Sequence, residues 1–312
     1  MENNIQKPST DASKKKRTIF AVAAIGVTVG LGIVTMLASP AANYNFYGPR
    51  GMLLCNDYEY VEVNLRNVRD YEITVPNNID GVPVTKVFGG SVIYSESDRL
   101  DNKIVNRYLT SVILPDTVTQ ISGFYNYPLT SINFPEKLDY ISDSTFESCC
   151  FREVTLPVCS IGNYIFKGCA YLEDVNIPDG IEKIEYHCFE DCTSLKDIEL
   201  PDSVETIEEC CFAGCIRLEN VDLNSVVSIR EGAFENCISL KEIEIPDSVT
   251  NIGGGAFKGC TALETITIPA NVKHLDNSVF ENCTSLKSVF VSYDTEIDTE
   301  TLATWHFAVK RY

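Results

Sequence analysis

From Leu172 onward the apolar residues of this chain fall at fixed intervals. Leu172, Leu195, Leu218, Leu240, Leu263 and Leu286 are separated by steps of 23, 23, 22, 23 and 23 residues. Each interval reads L-x-x-[IV]-x-[IL], usually Pro, an aliphatic position, an Ile or Leu, and finally F-x-x-C, as in LEDVNIPDGIEKIEYHCFEDCTS (Leu172–Ser194). Such a period predicts stacked coils, because one coil cannot bury its apolar face alone and its neighbours complete the core. Alternation around the second and third apolar residues, Val175 and Ile177 or Ile198 and Leu200, predicts a short strand. Pro178, Pro201, Pro246 and Pro269 end it, since proline has no N–H for a continuing ladder. Ile181, Val204, Val249 and Val272, then Ile184, Ile207, Ile252 and Leu275, supply the next inward positions. The F-x-x-C segment, for example Ala233–Cys237, predicts a helical turn that returns the chain with Phe as its core plug.

The same pattern divides the chain. Shortened copies begin at Leu109, Leu129 and Phe151, so the regular solenoid is expected over residues 109–291. Residues 71–108 read as a degenerate first repeat, with Ile73, Val75, Pro76 and Val87 in place and a polar insertion from Ser91 to Tyr108. Residues 39–70 form a linker and N-terminal cap, strand-rich around the alternating run Tyr60–Leu65. Residues 292–312 form a C-terminal cap, in which Leu302, Trp305 and Val309 would share one face of a closing helix over Thr299–Val309.

The N-terminal portion is of another kind. Residues 1–17 are polar, basic and expected in the cytoplasm, ending in Lys14-Lys15-Lys16-Arg17; residues 18–38 then run 21 positions without a charge. At ~1.5 Å per residue that stretch would span about 31 Å as a helix, enough for a hydrocarbon core of roughly 30 Å. The preceding basic cluster predicts a cytoplasmic N-terminus and an external C-terminal domain, a single-pass protein of the cell membrane. A signal peptide is the competing reading, with the chain secreted after cleavage near Ser39-Pro40-Ala41-Ala42.

Charge narrows the partners. Twenty-five Lys and Arg stand against 44 Asp and Glu, a net charge of −19. Phosphate binding needs a basic footprint, so nucleic acid is excluded as a partner. An exported chain with 13 cysteines would ordinarily suggest disulfides. Here Cys149, Cys169, Cys192, Cys215, Cys237, Cys260 and Cys283 each follow a Phe by three residues and form one column of the repeat. A residue used once per coil is a packing position, and thiols stacked in parallel are poorly aimed for bridging, so free, buried cysteines are expected.

The stretch FENCISLKEIEIPDSVTNIGGGAF (Phe234–Phe257) resembles the BspA-type leucine-rich repeat, and the resemblance extends over about residues 71–291. It implies an α/β repeat solenoid: a right-handed leucine-rich repeat with a parallel β-sheet on its concave face and short helical turns on the return. It also implies a surface or secreted protein engaged in adhesion or protein binding, while naming neither a ligand nor a catalytic residue. The chain departs from the pattern at Asn224, where the strand-ending Pro is absent, and in the shrunken LPVCSIG turn (Leu156–Gly162).

Strand side chains alternate, so residues between the buried positions point to the concave face. One column holds Glu153, Asp174, Asp197, Asn220, Glu242 and Thr265; the next holds Thr155, Asn176, Glu199, Asp222, Glu244 and Thr267. Glu153, Asp174, Asn176, Asp197, Glu199, Asp222, Glu242 and Glu244 are therefore the candidate ligand-binding residues. Three readings fit this acidic face: solvation alone, a site for a basic protein segment or cationic ligand, or weak divalent-ion binding. The neighbouring column, Glu173, Lys196, Glu219, Lys241, Glu264 and Lys287, alternates in sign and reads as a structural cross-strand ladder.

Cys188, Cys192, Cys211 and Cys215 have spacing that could offer four thiolates to Zn²⁺, although Cys188 and Cys211 fall where Ala233 and Ala256 serve equally. No cofactor is expected. His187, His274 and His306 are scattered, and no Gly-rich phosphate loop, H-E-x-x-H or G-x-S-x-G occurs, so no catalytic set is assigned. Two function classes remain: a binding or adhesion protein working through the acidic face, and a structural, self-assembling module of the cell envelope.

Overall fold

A computed structural model describes residues 53–57, 60–65, 70–79, 82–89, 108–297 and 305–312. Within them the chain is a parallel β-solenoid of about eight turns. The apolar stretch at residues 18–38 and the insertion at 91–107 lie outside the described residues, as does most of the expected closing helix. Among the described residues no helix is long and apolar enough to cross a membrane.

Most coils contribute two short strands rather than the single one expected. The first follows the L-x-x-[IV]-x-[IL] run, and its central aliphatic residue is buried between exposed neighbours, as at Asp174–Asn176 and Asp197–Glu199. Pairing is parallel and in register: Glu153 lies beside Asp174, Val154 beside Val175 and Thr155 beside Asn176. The second strand is shorter and centred on the next Ile. Lys183–Ile184, Thr206–Ile207, Ser228–Ile229 and Asn251–Ile252 form one sheet, so Ile184, Ile207, Ile229 and Ile252 stack from coil to coil. Ahead of them, Val82–Phe88, Gln120–Ser122, Tyr140–Ile141 and Ser160–Ile161 belong to a sheet that begins with an antiparallel hairpin, Leu53–Asp57 against Tyr60–Asn64.

The return segment corrects the expected architecture. No α-helix is present among the described residues, and the F-x-x-C stretch is a run of tight turns. In the coil around Phe189, the N–H groups of Cys188, Glu190 and Cys192 donate to carbonyls three residues back. The alternate N–H groups of His187, Phe189 and Asp191 instead cross to Glu209, Cys211 and Ala213 of the next coil. A helix would consume every N–H internally. This segment divides them, and so becomes a third ladder between coils. The division requires left-handed backbone twice per coil, at His187 (φ 54) and Asp191 (φ 58), and it recurs at Cys210 with Gly214 and at Gly232 with Asn236.

The phenylalanines make one continuous column. Phe124, Phe146, Phe166, Phe189, Phe212, Phe234, Phe257 and Phe280 are stacked with ring centroids 5.5–6.0 Å apart. Beside it runs the cysteine column, and its seven thiols, Cys149 to Cys283, are unpaired. Each column thiol donates to the carbonyl of a Phe in the preceding coil at 3.0–3.3 Å. Tyr127 stands in for cysteine in the first such coil, and its hydroxyl donates to the Gly89 carbonyl.

The C-terminal residues close the column with aromatics. Trp305 and Phe307 meet Phe280 edge-on at 5.7 and 5.8 Å. Ala308–Arg311 is a strand, parallel to Ser288–Val291, so Val309 does not sit on a helix. The departure at Asn224 also has a physical account. With φ 39 it lies in the turn Leu223–Val226, closed by the Val226 N–H on the Leu223 carbonyl, and its amide donates to the Leu200 carbonyl at 2.5 Å, a bond proline cannot form.

Candidate ligand-binding face

Strand pleating sets the geometry of the acidic face. Because Val175, Ile198 and Val154 are buried, the flanking residues on each strand must point the other way, into solvent. Glu153, Asp174, Asn176, Asp197, Glu199 and Asp222 are all exposed strand residues. Register then decides which of them meet. Glu153 stands opposite Asp174, Asp197 opposite Asn220, and Glu199 opposite Asp222. Glu242 and Glu244 are exposed too, but Leu240–Ile245 forms no strand, so they continue the face without a ladder beneath them.

The column beside the carboxylates is internally matched. Arg152 meets Glu173 at 3.4 Å, Lys196 meets Glu219 at 3.7 Å, and Lys287 meets Glu264 at 2.6 Å. The Lys287 ammonium, bonding Glu264 directly, holds that carboxyl below its ordinary range. None of the eight candidate residues forms an ion pair with a described cation. Asn220 donates its amide to Asp197, and Asn176 donates to Thr155 at 3.5 Å. Glu199 and Asp222 stand side by side without a side-chain donor between them, although the Asn224 N–H donates to Asp222 at 3.2 Å. Like charges on neighbouring strands are unfavourable unless solvent or a cation compensates.

The sequence reading missed a second matched column on the return side. Lys167 meets Glu190 at 2.5 Å, and Lys258 lies between Glu235 and Glu281 at 3.4 and 3.8 Å. The signal was present in the residue after the column Phe, FKGC and FEDC at Phe166 and Phe189, then FENC, FKGC and FENC from Phe234 to Phe280, with the uncharged FAGC at Phe212 between the two sets. Also unrecognised was a cleft of about 680 Å³ that includes Glu153, Asp174 and Asn176 in its lining. Its signal was the shortened turn after Leu156.

The four candidate zinc ligands lie near one another but are not arranged around a metal. Cys192 and Cys215 are committed to the carbonyls of Phe166 and Phe189, and no group of three or more His, Cys, Asp or Glu among the described residues is arranged for a metal. Burial pushes the thiols of Cys188, Cys192, Cys211 and Cys215 well up, which opposes the thiolate form a metal requires.

The two-strand coil, the phenylalanine column and the F-x-x-C return agree with an independent comparison. A family model described as "BspA type Leucine rich repeat region" matches residues 102–219 and 214–304. The chain belongs to the BspA-type leucine-rich repeat family. Repeats of this family are typically non-enzymatic. The BspA-type coil also accounts for a likeness to a leucine-rich repeat protein of Bacteroides ovatus, 25% identical, covering 86% of this chain and 77% of that one with a TM-score of 0.57. A leucine rich cell surface protein of Faecalibacterium prausnitzii is 21% identical over 85% of this chain and 98% of its own, with a TM-score of 0.42. The pneumococcal vaccine antigen PcpA is 18% identical over 85% and 93% of the two chains, with a TM-score of 0.38. No curated protein gives a significant match.

Proposed function

We propose that this is an extracytoplasmic BspA-type repeat protein that binds a partner protein bearing a basic segment, using the acidic strand face. The observation that carries this reading is the pairing of Glu199 with Asp222 and of Glu153 with Asp174 on adjacent strands, beside a column whose charges cancel one another. A fold that matches charges in one column and leaves like charges together in the next has an unsatisfied electrostatic demand, and a cationic partner meets it. The placement outside the cell rests on the basic cluster at Lys14–Arg17 followed by the uncharged residues 18–38, which attach the chain to the membrane or direct its secretion.

The test is a pull-down with the full chain against surface-protein extracts at low and high salt. Binding that weakens with salt and disappears when Asp197, Glu199 and Asp222 are reversed to lysine supports the reading. Binding indifferent to those reversals removes it. Self-association of the full chain that survives the same reversals supports instead a structural envelope module.

A further inference from the structure

The coil that begins at Phe151 is missing part of its wall. From the last apolar residue of the first run to the end of the second strand this coil uses six residues, Leu156–Ile161, where the flanking coils use eight, Phe134–Ile141 and Ile177–Ile184. The inward position filled by Leu138 in the coil before and by Ile181 in the coil after is not buried here: Val158, three residues before Ile161, is turned out to solvent, and Cys159 packs only partly against the core. The first-strand sheet is interrupted at the same level, as it is again after Asp174–Asn176 and after Asn220–Asp222, and the shortened connection is what sets this break apart. Ser131–Ile132 pairs with Ser111–Ile113, and Glu153–Thr155 with Asp174–Asn176, but no ladder joins the two sets. Where the outward-turned side chain and the missing ladder coincide, the cleft of about 680 Å³ opens. That volume falls among those of ligand sites, roughly 300–1,000 Å³.

Its chemistry is two-part. The deep lining is apolar, from Phe134, Leu138, Phe151 and Leu156, with Val158 strongly exposed at 61%. The exposed lining carries Glu136, Glu153 and Asp174, and no Lys, Arg or His lines the cleft at all. The combination rejects phosphate and other anions, and it rewards an apolar group that brings a cation with it. The unjoined strand edges at Ile132 and Glu153 favour an extended backbone as the carrier, because such an edge can bond a peptide main chain.

We propose that this cleft receives an extended segment of a partner protein in which an aliphatic or aromatic side chain lies within two positions of a Lys or Arg. The apolar side chain enters over Phe151 and Leu138, and the cation meets Glu153 and Asp174. The proposal rests on the strand face being a protein-binding surface, and it locates the anchor of that binding at the shortened coil.

The experiment screens the full chain, in detergent micelles, against an array of ten-residue synthetic peptides in which the apolar and basic positions are varied independently. Peptides holding both features within two positions should bind at least tenfold more tightly than those holding either alone. Val158→Trp, at an exposed position, should plug the cleft and abolish that preference, and Thr155→Trp should do the same should the first variant misfold; far-ultraviolet circular dichroism checks both. Glu153→Lys with Asp174→Lys should remove the basic requirement. Binding that depends on basic residues alone, lost on reversing Asp197, Glu199 and Asp222 but unchanged by Val158→Trp, overturns the cleft and leaves the acidic-face reading standing. An array with no binders overturns both.

Discussion

The thiol of Cys215 donates to the carbonyl oxygen of Phe189, one coil earlier, at 3.2 Å. That oxygen already accepts the N–H of Cys192 at 3.1 Å, and the column Phe carbonyls from Phe124 to Phe257 are shared in this way between their own turn and the next coil. Cysteine is thus more than a small apolar filler here. It is the smallest side chain that packs as a hydrophobe and still presents a donor at this depth. Replacing Cys215 by Ala should cost about 1–3 kcal/mol, combining lost packing with a lost bond. Cys215→Ser keeps a donor and should fall between Ala and the natural residue in urea denaturation. Equal losses for the two variants would show that the bond contributes nothing.

The buried thiols predict a one-sided pH response. Burial raises Cys169 from an ordinary 9.0 to about 12. The folded chain therefore holds this proton more tightly than the unfolded chain does. Its contribution is complete below about pH 9 and is lost as pH rises from there towards 12, by about 1.4 kcal/mol per pH unit. Urea midpoints should be flat through neutral pH and fall steeply above pH 9, and Cys169→Ala should flatten that fall. A midpoint independent of pH in the alkaline range contradicts the expectation.

A break in the aromatic column should cost cooperativity as well as stability. Phe212 stacks at 5.5 Å on both Phe189 and Phe234. Phe212→Ala should lose about 3–5 kcal/mol by leaving a cavity. Because coils contact their neighbours alone, the weakened joint should also split unfolding into two transitions. Calorimetry reads both effects, and a single transition with a small loss would count against the column as the spine of the fold.

The left-handed turn position gives contrasting tests at equivalent sites. Gly214 has φ 73, and a side chain there would meet Asp191 Oδ1 and its own backbone conformation would be strained. Gly214→Ala should cost roughly 1 kcal/mol or more. At the equivalent Asn236, φ 61, substitution by Gly should be close to neutral, since Asn tolerates this region nearly as well. Thermal unfolding of the two variants checks the contrast.

Much of this architecture was legible in the letters. The period of Leu172, Leu195 and Leu218 gave the coil, and alternation about Val175 and Ile198 gave the first strand. The second strand was harder to see, because Lys183–Ile184 and Thr206–Ile207 are two residues long and two residues carry no periodicity. The return was read as helical because Phe and Cys recur three apart, a spacing that both a helix and a turn ladder satisfy. The discriminating letters were Gly168, Asp191, Gly214 and Asn236, each immediately before its cysteine, at the residue types that accept left-handed backbone.

The sequence by itself determined which side chains face inward and which outward, because burial follows a local period of two on a strand. It therefore determined the acidic columns residue by residue. Tertiary structure alone decided which members of those columns meet. Glu199 faces Asp222, Asp197 faces Asn220, and Lys258 lies between Glu235 and Glu281, through register between coils more than twenty residues apart. It also decided that the shortened connection after Leu156 opens a cleft rather than being closed by its neighbours. Whether adjacent coils collapse into an unfilled position depends on how rigidly Phe151 and Leu138 are held by the column behind them, and no single repeat encodes that.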